Sequence, residues 1–171
     1  MSLPKVTLAS GSSSRRALLA NAGVIADAVK PNIDEAPIRD RMRADKISIR
    51  DQAMELAELK ALKVSQGREG LVIGGDQMLA LGDTAFDKPA DLAGTRAHLE
   101  ALSGQSHRLE TAIAVAENGQ MSRACVMPML SLSGFLEPRR LRPAFILAIG
   151  GSGQGTFRWF PGCRRQPFWM K

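Results

Sequence analysis

The stretch VTLASGSSSRRALLANAG, residues 6–23, decides the fold class. It opens with a short apolar strand at Val6–Ala9 and passes through a turn rich in serine and glycine. The apolar spacing from Arg15 to Ala22 then predicts a helix, for which Ser12 or Ser13 is a suitable N-cap. A strand that leads directly into a helix is typical of a domain in which strands and helices alternate.

The rest of the first 120 residues continues this alternation. The pattern predicts further strands and helices, a hairpin turn and an α/β fold. The strands are Val24–Val29, Leu71–Ile73, which runs into Gly74–Gln77 and then Met78–Leu81, and His107–Val115. The helices are Ser48–Val64 and Leu92–Leu102, with Asp91 as the cap of the second, and the turn is Glu117–Gly119.

The composition sets the protein class. The chain has 171 residues, 44% of them hydrophobic and 23% charged, which is typical of a globular protein with a substantial core. No apolar run reaches the roughly 18 residues of a membrane span and no secretory signal is apparent, so we expect a cytoplasmic protein without membrane partners. Cys125 and Cys163 form neither a disulfide framework nor a zinc motif, so we expect reduced thiols.

The net charge of +6 is unevenly distributed. Residues 1–120 contain 15 basic and 16 acidic side chains, whereas residues 121–171 contain 8 and 1. This second part also holds both tryptophans and five of the nine prolines, among them Pro128. Because proline disrupts helices and central strands, we expect no helix or central strand of ordinary length there outside 144–149. We therefore divide the chain into a catalytic or nucleotide-binding region, 1–120, and an atypical basic tail, 121–171.

The turn after the first strand is a candidate phosphate site. Backbone N–H groups at the start of a helix attract anions, and Ser10, Ser12 and Ser14 add hydroxyls beside them. Arg15 and Arg16 oppose the helix dipole, which is sensible if an anion binds there. A capped helix with two solvated arginines explains the same pattern. A second glycine-rich stretch, 150–156, lacks the lysine of a phosphate loop.

Four further side chains could carry chemistry. Asp76 follows an apolar strand and two glycines, where open α/β sheets place their sites, although a turn-forming aspartate is an alternative. Glu35 lies in a polar segment typical of a solvated turn, and Lys88 precedes a proline in a loop. Lys60 lies beside the apolar face of a helix, where a lysine usually snorkels its charge to the surface. Together, two carboxylates and two lysines are suited to holding a divalent cation and cleaving a phosphoanhydride.

Six motifs in order resemble the Maf family of nucleoside triphosphate pyrophosphatases. They cover roughly residues 4–119 and are Leu8–Leu19, Asp34-Glu35, Leu56–Ala61, Ile73–Gln77, Lys88-Pro89 and Leu102–His107. The resemblance implies a mixed sheet flanked by helices, similar to inosine triphosphatase, with the phosphate cleft between two lobes. It also implies hydrolysis of a nucleoside triphosphate to a monophosphate and pyrophosphate with Mg²⁺ or Mn²⁺.

The resemblance also implies roles for individual residues. Asp76 corresponds to the base that activates water, and with Glu35 it would bind the metal. Lys60 and Lys88 correspond to groups that contact phosphates. Substrate-binding positions are those of Ser10, Ser12, Ser14, Arg15, Arg16 and Gln77. Gln77 after the aspartate is similar to the subgroup that acts on 7-methyl-GTP, rather than the subgroup that acts on dTTP and UTP, and a homodimer is compatible with the family.

The tail departs from the family pattern. We hypothesise that residues from about 120 onward are translated out of frame or come from a degraded gene, with a divergent but folded second half as the alternative. Two other functions remain open: a catalytically inactive nucleotide-binding protein of the same fold, and a nucleic-acid-binding protein that uses the basic, aromatic tail. We do not expect nucleic acid as the principal partner.

Overall fold

The computed structural model describes residues 4–132, with side chains through residue 127. Strands and helices alternate along this part of the chain. The elements are β1 (Val6–Ala9), α1 (Ser13–Asn21), β2 (Asp27–Ala28), α2 (Glu35–Ala44), α3 (Ile49–Ser65), β3 (Leu71–Leu81), β4 (Thr84–Phe86), α4 (Leu92–Leu102), β5 (Ser106–Glu117) and β6 (Gln120–Leu132).

The strands form one mixed sheet with the order β2-β1-β3-β5-β6, and β4 pairs with β3. Strand β1 is parallel to β2 and β3, whereas β5 runs antiparallel to both of its neighbours, β3 and β6. The expected α/β fold with a mixed sheet and flanking helices is confirmed.

Helix α3 packs on the middle of the sheet and contributes more buried apolar residues than any other described element. Its fully buried Ala53, Leu56, Ala57 and Ala61 form a cluster with the small residues of β5. A side chain at Gly74 on β3 would meet this helix, since a Cβ there would lie 2.2 Å from the Ala57 carbonyl oxygen. Glycine therefore allows α3 to lie unusually close to β3.

One edge of β3 has a gap in its strand pairing. Strand β1 pairs with β3 up to Gly74, and β4 pairs with it from Leu79 onward. Strand β5 covers the opposite edge of β3 from Leu71 to Ala80. Within the described part of the chain, Gly75–Met78 therefore has no strand partner on the β1 side, and Asp76 lies in this gap.

The hairpin between β5 and β6 confirms the predicted turn. Asn118 and Gly119 both have positive φ angles, 52° and 75°. Two successive residues in this region are typical of a two-residue hairpin turn, and asparagine followed by glycine is the sequence that accommodates it best.

The structure corrects one expectation and adds three elements. The predicted strand Val24–Val29 is reduced to Asp27–Ala28. Strand β6 was not predicted, and its Pro128 pairs with Glu110 at the edge of the described sheet. An edge strand tolerates proline because its outer N–H groups need no partner in the sheet. Helix α2 and strand β4 were not predicted from the sequence pattern.

Several expectations concern residues outside the described part: the element at 144–149, the glycine-rich stretch 150–156 and Cys163. Cys125, which is described, is an exposed free thiol on β6. None of the helices within residues 4–132 combines the length and the apolar character that a membrane crossing requires.

Candidate active site

The turn between β1 and α1 is closed by a small hydrogen-bond network. Ser12 caps α1, and its Oγ accepts a bond from the Arg15 backbone N–H at 3.4 Å. Ser10 Oγ accepts from the Ser12 backbone N–H at 3.1 Å and from Arg15 Nη1 at 3.2 Å. The first turn of α1 has no acidic residue, so the positive end of the helix dipole is not neutralised locally.

The predicted phosphate-binding residues are not equally placed. Ser10, Ser12 and Arg15 belong to the network just described, whereas Ser14 and Arg16 are exposed on α1. A Cβ at Gly75 would lie 3.7 Å from Arg15 Nε. Arg15 therefore lies beside Gly75, on the sheet face opposite the Asp76 side chain, because successive residues of a strand point to opposite faces.

Asp76, Lys60 and Glu35 meet on the side of β3 that α3 covers. Lys60 Nζ lies 2.7 Å from Asp76 Oδ1 and 2.7 Å from Glu35 Oε1. Asp76 is 5% exposed and Lys60 6% exposed, so both charges are almost completely removed from water. The interpretation of Lys60 as a snorkelling surface lysine is wrong, because the cation is directed inward onto two carboxylates.

Glu35 reaches this cluster because it begins helix α2. Asp34 caps that helix, its Oδ1 accepting from the Ala36 backbone N–H at 3.3 Å. The interpretation of Glu35 as a solvated turn residue is therefore also wrong. Burial disfavours the charged form of Glu35, but hydrogen bonds from Lys60 and Arg39 outweigh this effect, so the pKa of Glu35 is lowered.

Arg39 is a site residue that the sequence pattern did not identify. It lies one turn after Glu35 on α2, and its Nη2 is 2.8 Å from Glu35 Oε2 and 3.5 Å from Asp76 Oδ2. Each carboxylate thus has one oxygen facing Lys60 and the other facing Arg39. We call Lys60, Asp76, Arg39 and Glu35 the four-charge ring.

Comparisons with known proteins show which family the chain belongs to. A profile of the Maf family, described as Maf-like protein, matches residues 5–132. The chain belongs to the Maf family. The profile match continues beyond residue 119, where the sequence motifs end, and includes β6.

Curated Maf relatives match this chain over part of their length. A nucleoside triphosphate pyrophosphatase of Hyphomonas neptunium is 68% identical over 114 residues, 67% of this chain and 58% of that protein. A 7-methyl-GTP pyrophosphatase of Mesorhizobium japonicum is 42% identical over 152 residues, 86% and 74% of the two chains. A nucleoside triphosphate pyrophosphatase of Caulobacter vibrioides is 48% identical over 120 residues, 70% and 60%. The chain thus spans less than two thirds of two of these three relatives.

Two predicted residues of the Maf motifs lie outside the four-charge ring. Gln77 is exposed on the face of β3 opposite Asp76, and its Nε2 donates to Thr111 Oγ1 at 2.8 Å. Lys88 is exposed in the loop between β4 and α4. No hydrogen bond or ion pair within residues 4–127 joins either side chain to the ring, so their roles toward a substrate stay predictions.

The protein donors that could hold a metal are Asp76 and Glu35. Within residues 4–127, no set of three or more His, Cys, Asp and Glu side chains is arranged to bind a metal ion. Asp76 Oδ2 is buried without a hydrogen-bond partner among the described residues. Mg²⁺ commonly binds one or two carboxylates and completes its shell with phosphates and water, so two carboxylates with one unsatisfied oxygen fit such an ion.

Glu110 is a second buried acid that the sequence analysis did not single out. It is 5% exposed, and its Oε1 accepts from Arg108 Nε at 3.3 Å while Oε2 has no hydrogen-bond partner among the described residues. The register places Glu110 opposite Met78, on the same sheet face as Asp76. Alternation of apolar residues along β5 was the available signal, because an acid at an inward position interrupts it.

Proposed function

We propose that this Maf protein hydrolyses a nucleoside triphosphate between its α and β phosphates, releasing a nucleoside monophosphate and pyrophosphate. The observation that carries the proposal is the position of Asp76. Its buried carboxylate lies in the gap of β3, with Oδ1 bound to Lys60 and Oδ2 without a hydrogen bond. The serine- and arginine-lined turn of α1 lies at the same gap.

In this proposal the turn at Ser10–Arg15 binds the triphosphate. The backbone N–H groups and the dipole of α1 attract the phosphate oxygens, and the Arg15 guanidinium supplies a fixed positive charge beside Gly75. Lys60 stays bound to Asp76 and Glu35 and holds both carboxylates in the orientation that the reaction needs. Lys88, at the exposed loop, is available to contact a phosphate from the opposite side.

Asp76 is suited to act as the general base. Its Oδ2 accepts a proton from water, the water oxygen bonds to phosphorus, and the bond to the leaving pyrophosphate oxygen breaks. A divalent ion, Mg²⁺ or Mn²⁺, held by Asp76 and Glu35 would neutralise the negative charge that develops on the phosphoryl oxygens. The bond from Lys60 to Oδ1 orients the Asp76 carboxylate, so the base needs little reorganisation during the reaction.

We further propose a modified purine nucleotide, 7-methyl-GTP, as the preferred substrate. The support is the Asp76-Gln77 sequence, which resembles the 7-methyl-GTP subgroup, and the relative of that name from Mesorhizobium japonicum.

The experiment is a measurement of product identity and substrate preference. The full chain is incubated with 7-methyl-GTP, GTP, dTTP, UTP, CTP or ATP, with and without Mn²⁺ or Mg²⁺. The proposal predicts metal-dependent formation of monophosphate and pyrophosphate, fastest for 7-methyl-GTP. Release of diphosphate and inorganic phosphate would contradict the cleavage site, and binding of nucleotide without any product would favour the inactive nucleotide-binding alternative.

A further inference from the structure

The four-charge ring is electrically balanced without a metal ion. Its two carboxylates are matched by two cations, and each carboxylate oxygen faces one of them. A divalent ion that bound to Asp76 and Glu35 in this state would meet the positive charges of both Lys60 and Arg39. One cation must leave the carboxylates for such an ion to bind well.

The structure distinguishes which cation can leave. Lys60 has a side chain only 8% exposed and lies 2.7 Å from both carboxylates, on a helix packed against the core. Arg39 is 20% exposed, and its contact with Asp76 Oδ2 is longer, at 3.5 Å. Arg39 is therefore the more weakly held of the two cations, and it faces the oxygen that has no hydrogen bond.

We propose that Arg39 is a positioning residue that competes with the divalent metal for Glu35 and Asp76, so that the protein binds the metal well only together with a polyphosphate. Negative charge from the phosphates draws Arg39 off the carboxylates, because a guanidinium binds phosphate oxygens through two parallel hydrogen bonds. The role of the polyphosphate rests on the proposed function, whereas competition between Arg39 and the metal does not.

The test is Mn²⁺ binding to the full chain without nucleotide, measured by electron paramagnetic resonance and by calorimetry. The comparison is wild type, Arg39→Gln and the matched control Arg41→Gln. Arg41 lies on the same helix but pairs with Glu55, outside the ring. Both variants lose one positive charge, so any difference between them reports the position of the charge rather than the net charge.

Competition predicts that Arg39→Gln binds Mn²⁺ about tenfold more tightly than wild type or more, whereas Arg41→Gln stays within about twofold of it. A unit charge a few ångströms from a divalent ion changes its binding by at least this factor, even in a largely hydrated site. Equal Mn²⁺ affinity for Arg39→Gln and Arg41→Gln would overturn the proposal, as would weaker binding by Arg39→Gln.

Arg39→Lys keeps a cation at the ring and serves if the glutamine variant does not fold. It is expected to bind Mn²⁺ within about threefold of wild type, and to bind it at least tenfold better when a non-hydrolysable triphosphate analogue is present. No gain with the analogue, in wild type as well as in the lysine variant, would overturn the coupling to phosphate. Because Mn²⁺ binding needs no turnover, failure of this inference and failure of the proposed hydrolysis give separate results.

Discussion

Replacing Gly74 with alanine tests whether close packing of α3 on β3 is what assembles the site. A Cβ at this position would lie 2.2 Å from the Ala57 carbonyl oxygen and 2.9 Å from Ala61 Cβ. An ordinary contact begins at 3.4 Å, so the helix backbone must withdraw by about 1 Å. Lys60 lies on the same face of α3, and the substitution therefore moves it away from Asp76.

The expected loss of stability is about 2 kcal/mol. Overpacking a rigid core position costs about 3 kcal/mol. Alanine recovers about 0.5–1 kcal/mol of this because it has less conformational freedom in the unfolded chain than glycine. Urea denaturation followed by circular dichroism measures the difference directly.

Gly75→Ala is the matched control, since it changes the neighbouring residue in the same way. A Cβ there would lie 3.4 Å from the Ala112 carbonyl oxygen, at the limit of ordinary contact. This variant should be as stable as wild type or about 0.5 kcal/mol more stable. Equal stability of the two alanine variants would refute the argument that α3 depends on a glycine at residue 74.

Two further predictions concern the charges of the ring. Lys60→Met should destabilise the protein by about 3–5 kcal/mol, because it leaves the buried Asp76 carboxylate with one distant cation. The control Lys63→Met, at an exposed position of the same helix, should change the free energy of unfolding in urea by less than about 0.5 kcal/mol. Equal losses of stability in the two variants would contradict the prediction. Because the pKa of Glu35 is lowered in the folded protein, its ionised form stabilises the metal-free fold at any pH above the ordinary glutamate pKa near 4.5. This stabilisation is lost as the pH falls through the lowered pKa of the folded state. Urea titrations between pH 2.5 and 6 should therefore show a shallower pH dependence for Glu35→Gln than for wild type, and parallel curves would exclude the effect.

The sequence predicts the parts of the fold in which local pattern and packing agree. Val6–Ala9 is an apolar strand that the structure largely buries, and α3 shows an apolar stripe that the structure also buries. Helix α1 is predicted by its N-cap, although none of its residues is buried among the described residues. Helix α2 lacks such a stripe, since Met42 is its one buried residue. Its signals are electrostatic instead: Asp34 caps it, Glu35 lies in its first turn and basic residues lie in its last turn.

Residue types point to the chemistry of the site, but not to its geometry. Asp76, Lys60 and Glu35 are each explained by an ordinary structural role when taken alone. Only the tertiary packing of α2, α3 and β3 brings both carboxylates within 2.7 Å of Lys60 Nζ. Arg39 belongs to the segment for which the pattern predicts no helix, so its spacing to Glu35 carried no meaning before α2 was seen. Strand β6 was missed because proline content alone does not distinguish an edge strand from a loop.

The most direct test of the central claim compares pyrophosphate release by wild type and Asp76→Asn with the best nucleotide of the panel and Mn²⁺. The account predicts a loss of turnover of at least about 100-fold in the variant, because asparagine cannot accept the proton of water. The urea midpoint should stay close to that of wild type, and a fluorescent triphosphate analogue should still bind. Turnover by Asp76→Asn within about threefold of wild type would contradict the assignment of Asp76 as the base.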